Sequence, residues 1–392
     1  MEFARTEEHR LMCKAVQNLA SDYDETYWKE IRKEMRFPHE FHQELADGGW
    51  IGIPFPEEYG GQGLGVAEHV MVMNALSEAG AWIGVTGMVT GSVFGGLSVL
   101  YHGTEEQKQE YLPAIANGQN WSLGVTEPDA GLNTPNITTS AKREGDEYVI
   151  NGQKMWTSGI ADADRFLVLA RTTSREAVES PYDGLTLFMV DEPQGDGIDY
   201  SEIPLDIYFP ERTYQVYIED LRVPAENVLG EVGNGLRQSF DTLNAERITT
   251  GAQNWGAGMH TLQVATDYAN EREVFSEPIG AHQAIQHPLA DAYADLESAR
   301  LSILKAAWQF DQDEGDIAEA SNIANLQAGK AAFAAAEAAM TTLGGMSVSS
   351  EMGVAAAWEF IRHSRGIPVS EEMIRNYLGI HSLGLPRSYQ SP

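Results

Sequence analysis

Apolar residues recur at helical spacing through residues 1–120, interrupted by a turn-rich stretch, PFPEEYGGQGLG, at 54–65. From about residue 121 the texture changes to short runs rich in β-formers. Tyr148-Val149-Ile150 and Gln153 to Trp156 flank Asn151-Gly152. That dipeptide predicts a two-residue hairpin turn, because both residues tolerate positive φ. Phe166 to Leu169, Leu185 to Val190 and Tyr214 to Ile218 are further predicted strands, separated by loops of Gly, Pro and Asp. Beyond Gly235 helical spacing returns. The Ala-rich helix through Ala331 to Leu343 stops at Gly344-Gly345, residues suited to a helix exit. The pattern predicts an α+β chain with an N-terminal α-helical domain (1–120), a central β-barrel or sandwich domain (121–232) and a C-terminal α-helical bundle (233–392).

Length and composition narrow the classes. A chain of 392 residues is long for one core, and 43% hydrophobic residues suffice for several packed layers. No apolar run approaches the roughly twenty residues of a membrane span. The N-terminal MEFARTEEHRLMCK is charged from its start, unlike a secretory leader, so a cytoplasmic location is the default expectation. One cysteine, Cys13, excludes an internal disulfide. A net charge of −32 repels nucleic acid and anionic membranes. The cations are 8 Lys and 18 Arg. Scattered acidic surplus with scarce lysine is read as adaptation to concentrated salt, that is, a halophilic source, and as separate from catalysis. Phosphate-binding loops, a GxGxxG after a strand, HExxH, GxSxG and Cys/His metal clusters are absent from the sequence, so no metal is expected.

The informative stretch is WSLGVTEPDAGLNTP (121–135) followed by GDEYVINGQKMWTSG (145–159). Here the sequence resembles the acyl-CoA dehydrogenase family. The TEPxAGSD signature of that family stands as Thr126 to Asn133, and its NGxKxWITN block as Asn151 to Gly159. HGTEEQKQEYLPAIANG (102–118), VPAENVLG (223–230), YANEREVFSEPIGAHQAIQ (268–286) and LGG (343–345) are similar to family landmarks in the same order, so the resemblance covers essentially the whole chain.

The resemblance implies an FAD enzyme of fatty acid metabolism that converts an acyl-CoA to the trans-2-enoyl-CoA. It implies electron-transferring flavoprotein as electron acceptor and a homotetramer built as a dimer of dimers. Val125 and Thr126 are then placed at the flavin pyrimidine edge, Trp156 against the isoalloxazine and Ser158 facing N5, with Leu123 and Thr157 among the further FAD contacts. Gly131, Leu132, Gln283, Thr341, Gly344, Gly345, Ser370 and Glu372 complete the FAD contacts. Arg272 shares a helical face with Tyr268 and Phe275 at i, i+4 and i+7, and is expected to meet an FAD pyrophosphate across a subunit interface. Substrate contacts fall on Leu132, Leu243, Asn244 and Arg247. Three places depart from the family: Leu132-Asn133 replaces Ser-Asp, Thr341 replaces Gln before LGG, and LGLPRSYQSP (383–392) replaces the helical tail.

The chemistry needs a base for a weakly acidic α-proton. Most members carry it as Glu in a YEGT segment near the C-terminus. This chain has HSRGIPVSEEMIRNYLG (363–379) there, with Pro368 at the Glu position. Proline also lacks the N–H that polarises the thioester carbonyl, so either the gap falls elsewhere and Val369 or Ser370 supplies that donor, or the site is altered. Other members carry the base on a different helix, directly before an Arg. Here that helix reads SFDTLNAERITTG. Leu236, Phe240 and Leu243 form its apolar stripe, with Glu246 and Arg247 next on that side. Glu246 is therefore read as the catalytic base, Asn244 as a partner of the pantetheine amide, and Arg247 as the group orienting the carboxylate. Glu371 and Glu372 are the carboxylates that a different gap brings to the flavin. Two other functions fit the same residues: an acyl-CoA oxidase or flavin monooxygenase using oxygen directly, and a catalytically silent flavin- or acyl-CoA-binding homologue.

Overall fold

A computed structural model describes residues 6–207 and 211–387. The first residues of MEFARTEEHRLMCK and the last of LGLPRSYQSP lie outside that range. The N-terminal region contains α1 (Glu7–Ser21), α2 (Glu25–Glu34), α3 (His39–Asp47), α4 (Val66–Leu76), α5 (Ser98–His102) and α6 (Glu105–Ala116). Thr6, Asp24 and Thr104 cap α1, α2 and α6 through their side chains, supplying acceptors for first-turn N–H groups. A wide-turned π-helical segment, Met88–Leu97, leads into α5. Its glycines make room for rings: a Cβ at Gly95 would stand 2.8 Å from Trp121, and one at Gly96 2.1 Å from Phe55.

The central region holds β1 (Trp121–Gly124), β2 (Ser140–Glu144), β3 (Glu147–Ser158), β4 (Arg165–Arg171), β5 (Leu185–Asp191), β6 (Ile198–Glu202), β7 (Thr213–Pro224) and β8 (Val228–Leu229). They form one sheet in the order β6-β7-β3-β2-β4-β5-β8, with β1 parallel to β4. Strand β4 is apolar on both faces because both are covered. Phe166, Val168 and Ala170 enter the β-domain core, while Leu167 and Leu169 join the helical core. Phe188 of β5, Ile198 of β6 and Val216 of β7 share the first of these cores, so the sheet curls about a common interior.

The predicted hairpin at Asn151-Gly152 is not present. Strand β3 runs straight through the dipeptide, with a register shift against β7 between Ile150 and Gly152. Asn151 is engaged across the sheet, accepting from Asp220 N (2.8 Å) and donating to Asp220 Oδ1 (3.1 Å). A Cβ at Gly152 would come within 2.4 Å of the Thr139 side chain. The glycine thus serves close packing at a bulge. The actual turn lies at Gly145-Asp146, between Glu144 and its partner Glu147.

The C-terminal region contains α7 (Gly235–Glu271), a short hairpin of β9 (Glu273–Val274) and β10 (Glu277–Pro278), then α8 (Gln283–Gln312), α9 (Ile317–Leu343), α10 (Val354–Ser364) and α11 (Glu371–Tyr377). Alanines of α9 pack closely on α7: Gly251 faces Ala324 and Ala328, and Gly258 faces Ala332. Gly344, at positive φ, ends α9 where the glycine pair predicted an exit. Among the described residues no helix is long and apolar enough to cross a membrane.

Candidate active site

The two motifs of the central domain are joined by a buried ion pair. Lys154 of β3 has no exposed side-chain surface, and its Nζ donates to Glu127 Oε1 (2.9 Å) and to the Val125 carbonyl (3.1 Å). Met155 N donates to Thr126 O (2.8 Å). Glu127 also accepts from Thr138 N (2.6 Å), Thr138 Oγ1 (2.8 Å) and Thr139 N (2.9 Å). Desolvation pushes the Glu127 carboxyl up, but Lys154 and these donors outweigh it and hold the group below its ordinary value. For Lys154 desolvation prevails over Glu127, lowering the ammonium to about 8. This pair was not read from the sequence, although Glu127 and Lys154 both stand inside the quoted motifs.

Next to Lys154 the backbone reverses its facing. A register shift between Lys154 and Thr157 puts Trp156 at φ 59°, with 55% of its surface exposed. Positive φ is strained for a bulky residue, and an exposed tryptophan gives no core packing in return. A flat aromatic ligand would cover that surface. Thr157 is buried with Oγ1 lacking a partner, and the half-buried Ser158 is fixed through its carbonyl by Ser122 Oγ (2.7 Å). Leu123, Val125 and Thr126 are half-buried; Gly131 and Leu132 are exposed, with open space where a Gly131 Cβ would stand. These residues fit the edge and face of a flavin ring.

Glu246 lies in α7 with 4% of its surface exposed and with Oε2 unpartnered. Desolvation pushes its carboxyl up to about 8, offset in part by the Arg247 charge. Arg247 does not bond the carboxylate as expected: its guanidinium donates to Leu243 O (3.3 Å) and Asn244 Oδ1 (3.0 Å). Consecutive helical residues point roughly 100° apart, which sends the two side chains different ways. Asn244 Oδ1 also accepts from Ser321 Oγ (3.2 Å) on α9. The apolar stripe is uneven, with Leu236 buried, Leu243 half-buried and Phe240 exposed. Thr242, one turn before Glu246, meets Ser98 of α5 at 3.4 Å, so the N-terminal helices close over this part of α7.

The two C-terminal carboxylates are engaged. Glu371 is buried between Arg365 and Arg375 (2.6 Å to the latter), and Glu372 is exposed and paired with Arg375 (3.2 Å). Ser370 caps α11, accepting from Met373 N. A buried carboxylate not foreseen from sequence is Glu211, lying against Gly159 and lining a pocket of about 330 Å³ with Met35, Arg36 and Tyr214. Burial, with Asp162 nearby, pushes it to about 7. Among the described residues no His, Cys, Asp and Glu cluster suits a metal ion.

The Arg272 segment differs from expectation. Helix α7 ends at Glu271, so Arg272 and Phe275 do not continue a helical face from Tyr268. Phe275 and Ser276, at φ 56° and 68°, form the tight turn between β9 and β10, and Pro278 bars a helix there. Phe275 is 90% exposed at the tip, with Arg272 and Gln283 exposed beside it. Thr341, Gly344 and Gly345 are exposed at the end of α9, and Tyr268 packs in one cluster with Leu343 and Met340. The two groups thus share one end of the bundle. At about 1.5 Å per residue, Arg272 at the end of α7 stands about 39 Å along the helix from Glu246.

Family models match three consecutive parts of the chain. They are the acyl-CoA dehydrogenase N-terminal domain over residues 6–119, the middle domain over 122–207 and the C-terminal domain over 233–378. The acyl-CoA dehydrogenase FadE12 of Mycobacterium tuberculosis is 37% identical over 99% of both chains. A glutaryl-coenzyme A dehydrogenase structure superposes with a TM-score of 0.92 at 27% identity, covering 100% of this chain and 98% of that one. The butyryl-CoA dehydrogenase of Megasphaera elsdenii superposes with a TM-score of 0.91 at 25% identity, covering 98% of this chain and 100% of that one.

Proposed function

We propose, for a chain that belongs to the acyl-CoA dehydrogenase family and takes FAD as its cofactor, that it oxidises the Cα–Cβ bond of an acyl-CoA to the trans-2-enoyl-CoA with Glu246 as the base. The observation that carries this is a buried carboxylate with an unpartnered oxygen in the helix closed over by Ser98. A desolvated carboxylate is a stronger base than one in water, which is what a thioester α-proton demands. FAD, when bound, supplies the acceptor for the β-hydride. The chain's own part is to hold the ring with Trp156, Val125 and Thr126, to present the Ser158 hydroxyl at N5, and to take the α-proton on Glu246. Electron-transferring flavoprotein is the proposed acceptor. Anaerobic titration with acyl-CoAs of graded length should bleach the yellow flavin for at least one of them. A flavin that stays oxidised with every thioester would favour the silent homologue, a reading supported by the exposed Leu132 in place of serine. Bleaching followed by fast reoxidation in air would favour the oxidase.

Arg272 and Phe275 are proposed to reach the FAD of a second copy, in a dimer of dimers. Light scattering should then give a mass near four chains for the flavin-loaded protein. Monomers with full flavin occupancy would refute the arrangement.

A further inference from the structure

We propose that the buried Glu127–Lys154 pair polarises the Val125–Thr126 peptide so that this edge of the site favours reduced over oxidised flavin. The inference rests on placing the flavin pyrimidine edge at Val125–Thr126. The Lys154 ammonium donates to the Val125 carbonyl at 3.1 Å, and that carbonyl belongs to the same peptide group as the Thr126 N–H. A cation on the acceptor end of a peptide strengthens the donor at its other end, and burial enlarges the effect. The counter-charge is drawn off in another direction. Glu127 accepts from Thr138 N, Thr138 Oγ1 and Thr139 N, so its negative charge spreads toward the approach to β2. What remains is a fixed dipole between two buried side chains, with its positive end at the Val125 carbonyl. Two-electron reduction leaves added negative charge on the pyrimidine edge of a flavin, and protein groups near N1 tune its electronics. A stronger donor there binds the reduced form more tightly than the oxidised one, by the same logic as a preorganised oxyanion site. A merely structural tie would hold the two motifs together without distinguishing the redox states.

The test is the double variant Lys154→Met with Glu127→Gln, which removes both charges and keeps the approximate shape. FAD is titrated into the apoprotein, and the potential of the bound flavin is measured against a reference dye. Affinity for oxidised FAD should fall a few-fold. Affinity for reduced FAD should fall roughly tenfold more, which for a two-electron couple lowers the potential by about 30 mV. The pair Lys154→Gln with Glu127→Gln keeps an N–H donor for the Val125 carbonyl. It should lie between the Met variant and wild type, and it carries the comparison if the Met variant does not fold. Folded variants that hold FAD at the wild-type potential overturn the inference and leave the pair a structural tie. A wild-type protein that takes up no FAD overturns instead the flavin placement on which the inference rests.

Discussion

Glu246→Gln should bind FAD and acyl-CoA as the wild type does, while the rate of flavin reduction falls by about 10²–10⁴, the worth of a positioned general base. Glutamine keeps the shape of the side chain and removes the proton acceptor. Stopped-flow bleaching under nitrogen reads the rate, and FAD content after gel filtration reads retention. Because burial raises the Glu246 carboxyl to about 8, the wild-type kcat/KM should climb with pH toward that value and then level. The same shift fixes a stability signature. At pH below the ordinary carboxylate value both folded and unfolded chains carry the proton, and Glu246 costs nothing. As pH rises, the unfolded chain ionises first while the folded chain stays protonated, so stability is lost until pH passes about 8. Glutamine has no such dependence. Glu246→Gln should therefore match the wild type near pH 4.5 and melt higher at pH 8, by something on the order of a few kcal/mol. An inactive variant that is more stable at the working pH is hard to explain as damage. Glu371→Gln, Glu372→Gln and Glu211→Gln are the comparisons, and each should reduce its flavin near the wild-type rate. If Glu246→Gln bleaches normally while one of the three does not, the base is that residue.

The division into helices, strands and helices was legible because each region repeats one period over tens of residues. The central motifs were legible because their residues are close in sequence. What stayed hidden depends on partners far along the chain. Asn151-Gly152 has the chemistry of a tight turn, yet Asp220 engages the asparagine and Thr139 presses on the glycine, so the strand continues. Tyr268, Arg272 and Phe275 have helical spacing, but the helix ends at Glu271, with Arg272 already extended and the β9–β10 hairpin following it. Glu246 was readable as a charge on an apolar stripe. Its isolation was not, because that follows from where Arg247 sends its guanidinium. For the C-terminal segment the sequence left Glu371 and Glu372 open as alternatives. The structure separates them by giving Glu371 two arginines and leaving Glu372 at the surface.

Lys154→Met alone should be among the most destabilising single changes in the central domain, on the order of 3–5 kcal/mol, because it strands a buried carboxylate. Glu127 would keep its three donors from Thr138 and Thr139 but lose the one cation bonded to it among the described residues. Burying an unpaired charge costs more than the pair contributes, since the attraction that offset its desolvation is gone. The backbone consequence is local and specific. Val125 loses its side-chain donor, and β3 loses one of the two bonds by which Lys154 and Met155 hold residues 125–126. Trp156, whose positive φ persists only while its neighbours constrain it, should relax, and FAD should be lost at lower denaturant than global unfolding requires. Urea titrations followed by flavin release and by far-ultraviolet circular dichroism would separate the two transitions. Adding Glu127→Gln should restore most of the stability, since the stranded charge is then removed and a neutral amide can still bond residues 138–139. A single variant that melts like the wild type would mean that the pair contributes little to the fold. A double variant that is no better than the single would place the loss in the Val125 contact and not in the buried charge.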